Sequence, residues 1–204
     1  GYSTFRMEIG DVLEQENTLT VTVDNSVNDR VYPQKADFTF YGGIYRDVYL
    51  ISTGPVYITD PNEAGTVAGG GVFFRTEFLD PRTRKGKVGV KVQVANQTDK
   101  ERKVRVQAVM TDPKGVDPAG ETVPLTIPPH STGEVDIPLV LSNVKPWSPD
   151  NPDLYTLSVE VWDAAGGFRH RRAGHCHEPA DPAVHLPVVP ASDLCDHHPG
   201  FFCP

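Results

Sequence analysis

Five times between Val88 and Val161 the sequence alternates apolar and polar residues with a period of two. Val88, Val90, Val92 and Val94 make the first run, and Val104, Val106, Ala108 and Met110 the second. Val123, Leu125 and Ile127 follow, then Val135, Ile137, Leu139 and Leu141, and last Tyr155, Leu157, Val159 and Val161. Successive side chains of a strand point to opposite faces, so each run buries one face and wets the other. No segment shows the 3.6-residue period of an amphipathic helix. Turn signals separate the runs, DPKG at 112–115 and IPPHSTG at 127–133 among them. Recurrence at about 8 to 12 residues is the spacing of an antiparallel sandwich. The expectation over residues 72–163 is therefore an immunoglobulin-like β-sandwich of about seven strands.

Composition agrees with an all-β chain: 19 prolines and 18 glycines among 204 residues supply many turns. The net charge of −8 speaks against nucleic acid, which needs a basic face to displace counterions, and against anionic membrane surfaces. No apolar run of about 18 residues is present, so no membrane-spanning helix is expected. The opening GYSTFRMEIG carries neither an initiating Met nor a secretory pattern, from which a missing native start and a cytoplasmic location are expected. All three cysteines, Cys176, Cys195 and Cys203, fall near the C-terminus, so disulfides cannot staple the body and the core must hold it. The same segment holds six of the seven histidines. Its ligand types suit zinc, yet no two cysteines have the spacing of a structural site, and no metal is expected.

Upstream, NTLTVTVD at 17–24 alternates Leu19, Val21 and Val23 against threonines and reads as a half-buried strand, as does DVYLIS at 47–52. The Pro-, Asn- and Gly-rich stretch at 61–71 is taken as a linker. The stretch DFTFYGGIYRDVYL, residues 37–50, adds Gly42-Gly43 in the approach to a strand. Glycine there costs entropy and packs nothing, and usually marks a bulge or a close approach by a backbone or ligand. From the residues alone, the segment is a sheet corner or the wall of a site, and Asp37 is a loop residue capping a turn. Arg46, in a mostly apolar strand, needs an acceptor such as Asp37 or Asp47. Phe38, Phe40, Tyr41 and Tyr45 read as core or interface packing, and Trp147 and Tyr155 close the sandwich.

With GYSTF at 1–5, NTLTVTVDN at 17–25, DFTFYGGIYRDVYL at 37–50 and KPWSPDNPDLYTLSVEV at 145–161, the chain resembles glycoside hydrolase family 2, the β-galactosidase and β-glucuronidase family. The resemblance covers residues 1–163. It implies that residues 1–60 are the end of a sugar-binding, galactose-binding-like jelly-roll domain. Residues 61–71 would be the linker, 72–163 the immunoglobulin-like sandwich, and 164–204 an irregular, unstructured tail. It implies that Asp37 contacts substrate, supported by Tyr45 and Arg46, with a galactoside-type carbohydrate as partner, no cofactor, and homo-oligomeric intact relatives. The family's two catalytic glutamates belong to a (β/α)8 barrel absent from this sequence, so no catalytic residue is expected. Asn62-Glu63 matches the family's acid/base pair only by coincidence, having no buried parallel strand before it.

The resemblance breaks off after VEVWDAAGG. A one-base shift within codons for Phe168 to Arg171 yields Phe-Val-Ile-Asp, which continues a strand, and a shifted reading frame accounts for the tail's composition. The resulting expectation is a non-catalytic fragment of a family 2 enzyme. The alternative is a stand-alone carbohydrate- or protein-binding module.

Overall fold

A computed structural model of the chain describes residues 6–28, 30, 42–44, 48–61, 64–65, 70–116 and 118–163, together with the backbone of 169–176. The chain divides into two units, Gly1–Val48 and Tyr49–Pro204.

The second unit is an antiparallel β-sandwich. Its strands are β1 (Val56–Ile58), β2 (Val72–Asp80), β3 (Lys85–Asn96), β4 (Arg102–Thr111), β5 (Ala119–Ile127), β6 (Ser131–Leu141), β7 (Tyr155–Asp163) and β8 (Arg169–Cys176). One sheet centres on β3, which pairs with β6 along one edge and with β2 and β1 along the other. The second runs β5-β4-β7-β8. All five alternating runs lie in strands, and their inward residues form the core: Val90, Val92, Val94, Val106, Ile137 and Val161 are fully buried, with Leu139, Leu157 and Val159 nearly so. Pro124 and Pro138 sit inside strands, which is tolerated because β5 and β6 are edges with one paired neighbour each. The chain is all-β. Among the described residues no helix is long and apolar enough to cross a membrane.

Three features correct the sequence reading. First, the 61–71 stretch is not a linker between domains. β1 belongs to the sandwich, pairing Val56, Tyr57 and Ile58 with Asn96, Ala95 and Val94, while Val72 pairs with Val92. The intervening ladder position, opposite Gln93, is shared. Thr59 N donates to Gln93 O at 3.0 Å and Gln93 N donates to Gly71 O at 2.8 Å. The chain thus leaves one edge strand at Thr59 and returns to it at Gly71, the two ends meeting opposite Gln93. Thr59 Oγ1 clasps the base, donating to Gln93 Oε1 at 2.7 Å and accepting from Gly71 N at 2.8 Å. Gly71 has φ +58°, and a Cβ there would lie 2.7 Å from the Thr59 carbonyl oxygen. The Pro/Gly composition reported the turn chemistry of the loop, and the division between units falls at Tyr49 instead.

Second, the segment from 164 on is not irregular throughout. β8 pairs with β7 from Tyr155↔Cys176 to Trp162↔Arg169 without a register break. Main-chain pairing needs only free donors and acceptors on the neighbouring strand, so a sequence without apolar alternation completes the sheet. Residues 177–204, the remainder of the expected tail, lie outside the described residues.

Third, the first unit contains no strand among its described residues. It shows a 3-10 turn at Gly10–Val12 and local side-chain turns. Asn17 and Glu14 exchange hydrogen bonds at 2.6 and 2.9 Å. Asp24 Oδ1 accepts from Ser26 N at 2.8 Å. Leu19, Val21 and Val23 are 67, 48 and 49% exposed where half-burial was expected, and Val48 is also exposed. Alternation specifies a strand only where a ladder partner satisfies the backbone, and none is seen among the described residues of this unit.

Candidate functional site

The residues assigned by sequence to the sugar site, Asp37, Tyr45 and Arg46, lie outside the described residues, as do Phe38, Phe40, Tyr41, Asp47 and the Asn62-Glu63 pair. Between them, Gly42, Gly43 and Ile44 are described. Gly43 has φ +98°, a conformation glycine adopts without strain. A Cβ on Gly42 would stand 2.8 Å from Asn25 Cγ and 2.9 Å from its Nδ2. Gly42 therefore marks a close approach by the Asn25 side chain, while Gly43 faces open space and serves the backbone conformation alone. That contact joins the NTLTVTVDN motif to the GGIYRDV motif through a side chain only a bare glycine admits. Next to it, the Ser26 backbone N–H holds the Asp24 carboxyl below its ordinary pKa.

A second cluster occupies one end of the sandwich and was not anticipated from the sequence. Lys145 Nζ sits 2.6 Å from Asp112 Oδ2. Asp112 is buried and its Oδ1 also accepts from Val116 N at 2.7 Å and Lys114 N at 3.0 Å, closing the β4–β5 turn. The Lys145 ammonium, helped by these two N–H donors against the cost of burial, holds the Asp112 carboxyl below its usual range. Asp112 in turn raises Lys145. The Lys145 backbone N–H donates to the Tyr155 hydroxyl at 3.0 Å. These contacts tie the KPW segment to β7 and to the β4–β5 turn.

Beside them lies a pocket of about 70 Å³ whose walls include Phe74, Leu79, Val144, Trp147 and Tyr155. Small-ligand sites run to roughly 300–1,000 Å³, so this hollow has room for one apolar side chain and is a packing feature. Tyr155 packs against the core as expected, and Trp147 lines the hollow while 38% exposed. Asp112 carried no sequence signal beyond DPKG, which announced a turn. Among the described residues no group of three His, Cys, Asp or Glu side chains is arranged to hold a metal ion.

The model of glycosyl hydrolases family 2 matches residues 67–173, just over half the chain, from within the 59–71 excursion to the middle of β8. The chain belongs to that family. A β-glucuronidase of Bacteroides fragilis is 27% identical over 164 residues, which cover 79% of this chain and 22% of the relative. A β-galactosidase of Rhizobium meliloti is 28% identical over 179 residues, covering 85% of this chain and 21% of the relative. The chain thus spans about a fifth of the length of these curated relatives. Among solved structures, a Bacteroides uniformis β-glucuronidase superposes with a TM-score of 0.62 at 19% identity, covering 76% of this chain and 18% of that one. A Parabacteroides merdae β-glucuronidase gives 0.52 at 24%, covering 75% and 17%. At these identities the structures show the shared fold.

Proposed function

We propose that this chain is a non-catalytic portion of a family 2 glycosyl hydrolase of β-galactosidase type, whose intact form hydrolyses terminal β-linked sugars. The observation carrying this reading is that the family match coincides with the sandwich while the chain covers about a fifth of its relatives. Retaining glycosidases need two carboxylates about 5–5.5 Å apart, and the family resemblance assigns both to the barrel. In the intact enzyme Asp37 accepts hydrogen bonds from adjacent sugar hydroxyls, with Tyr45 and Arg46 supporting the loop. Such contacts, remote from the scissile bond, orient the ring for attack. The galactoside assignment rests on GGIYRDV, since curated relatives include both β-glucuronidases and β-galactosidases.

The test has two arms. The purified chain should release no nitrophenol above buffer from p-nitrophenyl β-galactoside or β-glucuronide, and turnover by the chain itself contradicts the non-catalytic reading. The full-length enzyme, rebuilt by reading the downstream nucleotide sequence in the shifted frame, should prefer the galactoside, and Asp37→Ala should lower its kcat/KM at least about tenfold. Unchanged kcat/KM in that variant reduces Asp37 to a turn cap.

A further inference from the structure

Between Arg75 and Lys91 the sequence places six of the chain's 19 lysines and arginines and two of its 27 acids. This stretch lies on β2, β3 and their connecting turn, so cations collect on one hairpin of a chain whose net charge is −8. The register says which way they point. Val88, Val90 and Val92 are buried between the sheets, so Lys87, Gly89 and Lys91 stand on the outward face. Their partners Phe78, Arg75 and Phe73 stand there with them. Phe73, Arg75 and Phe78 thus make one line along β2, with its two rings opposite Lys91 and Lys87 and about 13 Å apart. Phe78 is 54% exposed, Arg75 is exposed and Phe73 is half-buried. A phenyl ring turned out of the sandwich adds little to its core and is available to a partner.

The middle of this face is built around a missing side chain. A Cβ on Gly89 would stand 2.6 Å from Glu77 Oε1, so the glycine leaves room for that carboxylate to lie across the ladder. The bulge between Thr76 and Phe78 brings Glu77 there, and Lys87 Nζ fixes it at 2.8 Å and holds its carboxyl below the usual pKa. Lys91 is engaged too, 3.9 Å from Glu134 Oε2. Arg75 has no ion pair among the described residues. Between the two rings the face therefore offers a fixed carboxylate and an uncommitted guanidinium. An aromatic ring takes the C–H face of a pyranose, and a carboxylate accepts from sugar hydroxyls. A guanidinium grips a carboxylate or sulfate with two parallel hydrogen bonds. A polynucleotide, charged at every phosphate, would set its backbone against Glu77, Glu134 and Asp136 on the same face. We infer that the outward face of β2 and β3 is a binding face for an oligosaccharide that carries spaced carboxylate or sulfate groups. The inference rests on the reading of the chain as part of a carbohydrate-cleaving enzyme and adds the charge of a glycan it holds.

The probes are tetragalacturonate and a sulfated galactotetraose, titrated against the isotope-labelled full chain and read by amide chemical shifts. The fully methyl-esterified tetragalacturonate and unsulfated galactotetraose are the uncharged controls. At least one charged sugar should bind about tenfold or more tighter than its uncharged form, with shifts confined to 73–78 and 85–91. Whichever charged sugar binds more tightly names the preferred anion. Equal binding of charged and uncharged forms would overturn the assignment, as would no binding of either charged sugar. Tetraglutamate or inorganic tetraphosphate bound as tightly would show anion attraction without recognition of a sugar, and would overturn it too. Phe78→Ala should weaken the charged sugar at least about threefold, and Arg75→Gln should bring its affinity down to that of the uncharged form. Folded variants that bind like the unaltered chain count against the assignment. The charged and uncharged sugars are compared on the unaltered chain, so that comparison decides even where a variant does not fold. Hydrolysis by the rebuilt full-length enzyme is measured separately. Hydrolysis there without sugar binding here removes this face and leaves the glycosidase reading standing, and the converse removes that reading alone.

Discussion

Two stretches with the same alternating pattern meet opposite fates. In VGVKVQV, residues 88–94, the valines at 88, 90, 92 and 94 are 5, 0, 0 and 0% exposed; in NTLTVTVD the residues Leu19, Val21 and Val23 are 67, 48 and 49% exposed. The difference lies in neighbours. β3 has paired strands on both edges and a second sheet over its inner face, whereas no described residue of 17–24 belongs to a strand. A period-2 pattern states which face of a strand would be buried. It does not create the pairing and the opposing layer that bury it.

Substitutions sharpen that contrast. Ile137→Ala, at a fully buried position between the sheets, should cost about 2–5 kcal/mol by urea unfolding. Leu19→Ala should change stability by less than about 0.5 kcal/mol, and comparable losses at the two sites would break the comparison. Next comes Asn96, a buried amide whose Nδ2 faces the carbonyls of Lys100, Ile127 and Pro128 at 2.8, 3.1 and 2.9 Å. Its Oδ1 accepts from Thr98 N and Thr98 Oγ1 at 3.0 and 2.7 Å. One side chain therefore satisfies the β3–β4 and β5–β6 turns together. Asn96→Ala leaves those groups unpaired and should cost about 2–4 kcal/mol, while a loss below about 1 kcal/mol would mean that water replaces the amide.

Smaller effects follow from charge and loop length. Because the folded pKa of Asp112 is depressed, its contribution is complete above the ordinary carboxylate value and is lost as pH falls through the folded value. Lys145, with a raised pKa, contributes fully below the ordinary lysine value and loses that contribution as pH climbs past the folded one. Asp112→Asn should accordingly flatten the acid side of the stability curve below about pH 4, and an unchanged slope would remove the ion pair from the account. The smallest expected change is from deleting residues 60–71. The deletion leaves Thr59 followed by Val72 opposite Gln93 and should alter unfolding free energy by no more than about 1 kcal/mol. A loss above about 3 kcal/mol would show that the excursion is packed into the fold.

Strands β3 to β7 were legible because each carries an alternating apolar face, and Pro124 and Pro138 stand inside two of them without harming the pattern. The three residues of β1 carry almost no periodicity, so sequence alone gives the Pro/Gly-rich loop after it the signature of a boundary. β8 is illegible for a different reason: Arg169 to Cys176 pair through their main chain, and side-chain patterning does not report main-chain pairing. Of the candidate site, the described residues show only that Gly42 is approached by a side chain, neither a backbone nor a ligand. The approaching Asn25, seventeen residues upstream, is a tertiary contact no local pattern announces.

Amide hydrogen exchange on the intact chain, read by mass spectrometry over peptides spanning 17–24 and 88–94, tests most directly whether pairing separates the two regions. Slow exchange at 88–94, limited by global unfolding of the sandwich, and exchange at 17–24 close to that of an unstructured peptide are the expected result. Equal protection of the two peptides would contradict it, because it would require a ladder partner for Leu19, Val21 and Val23.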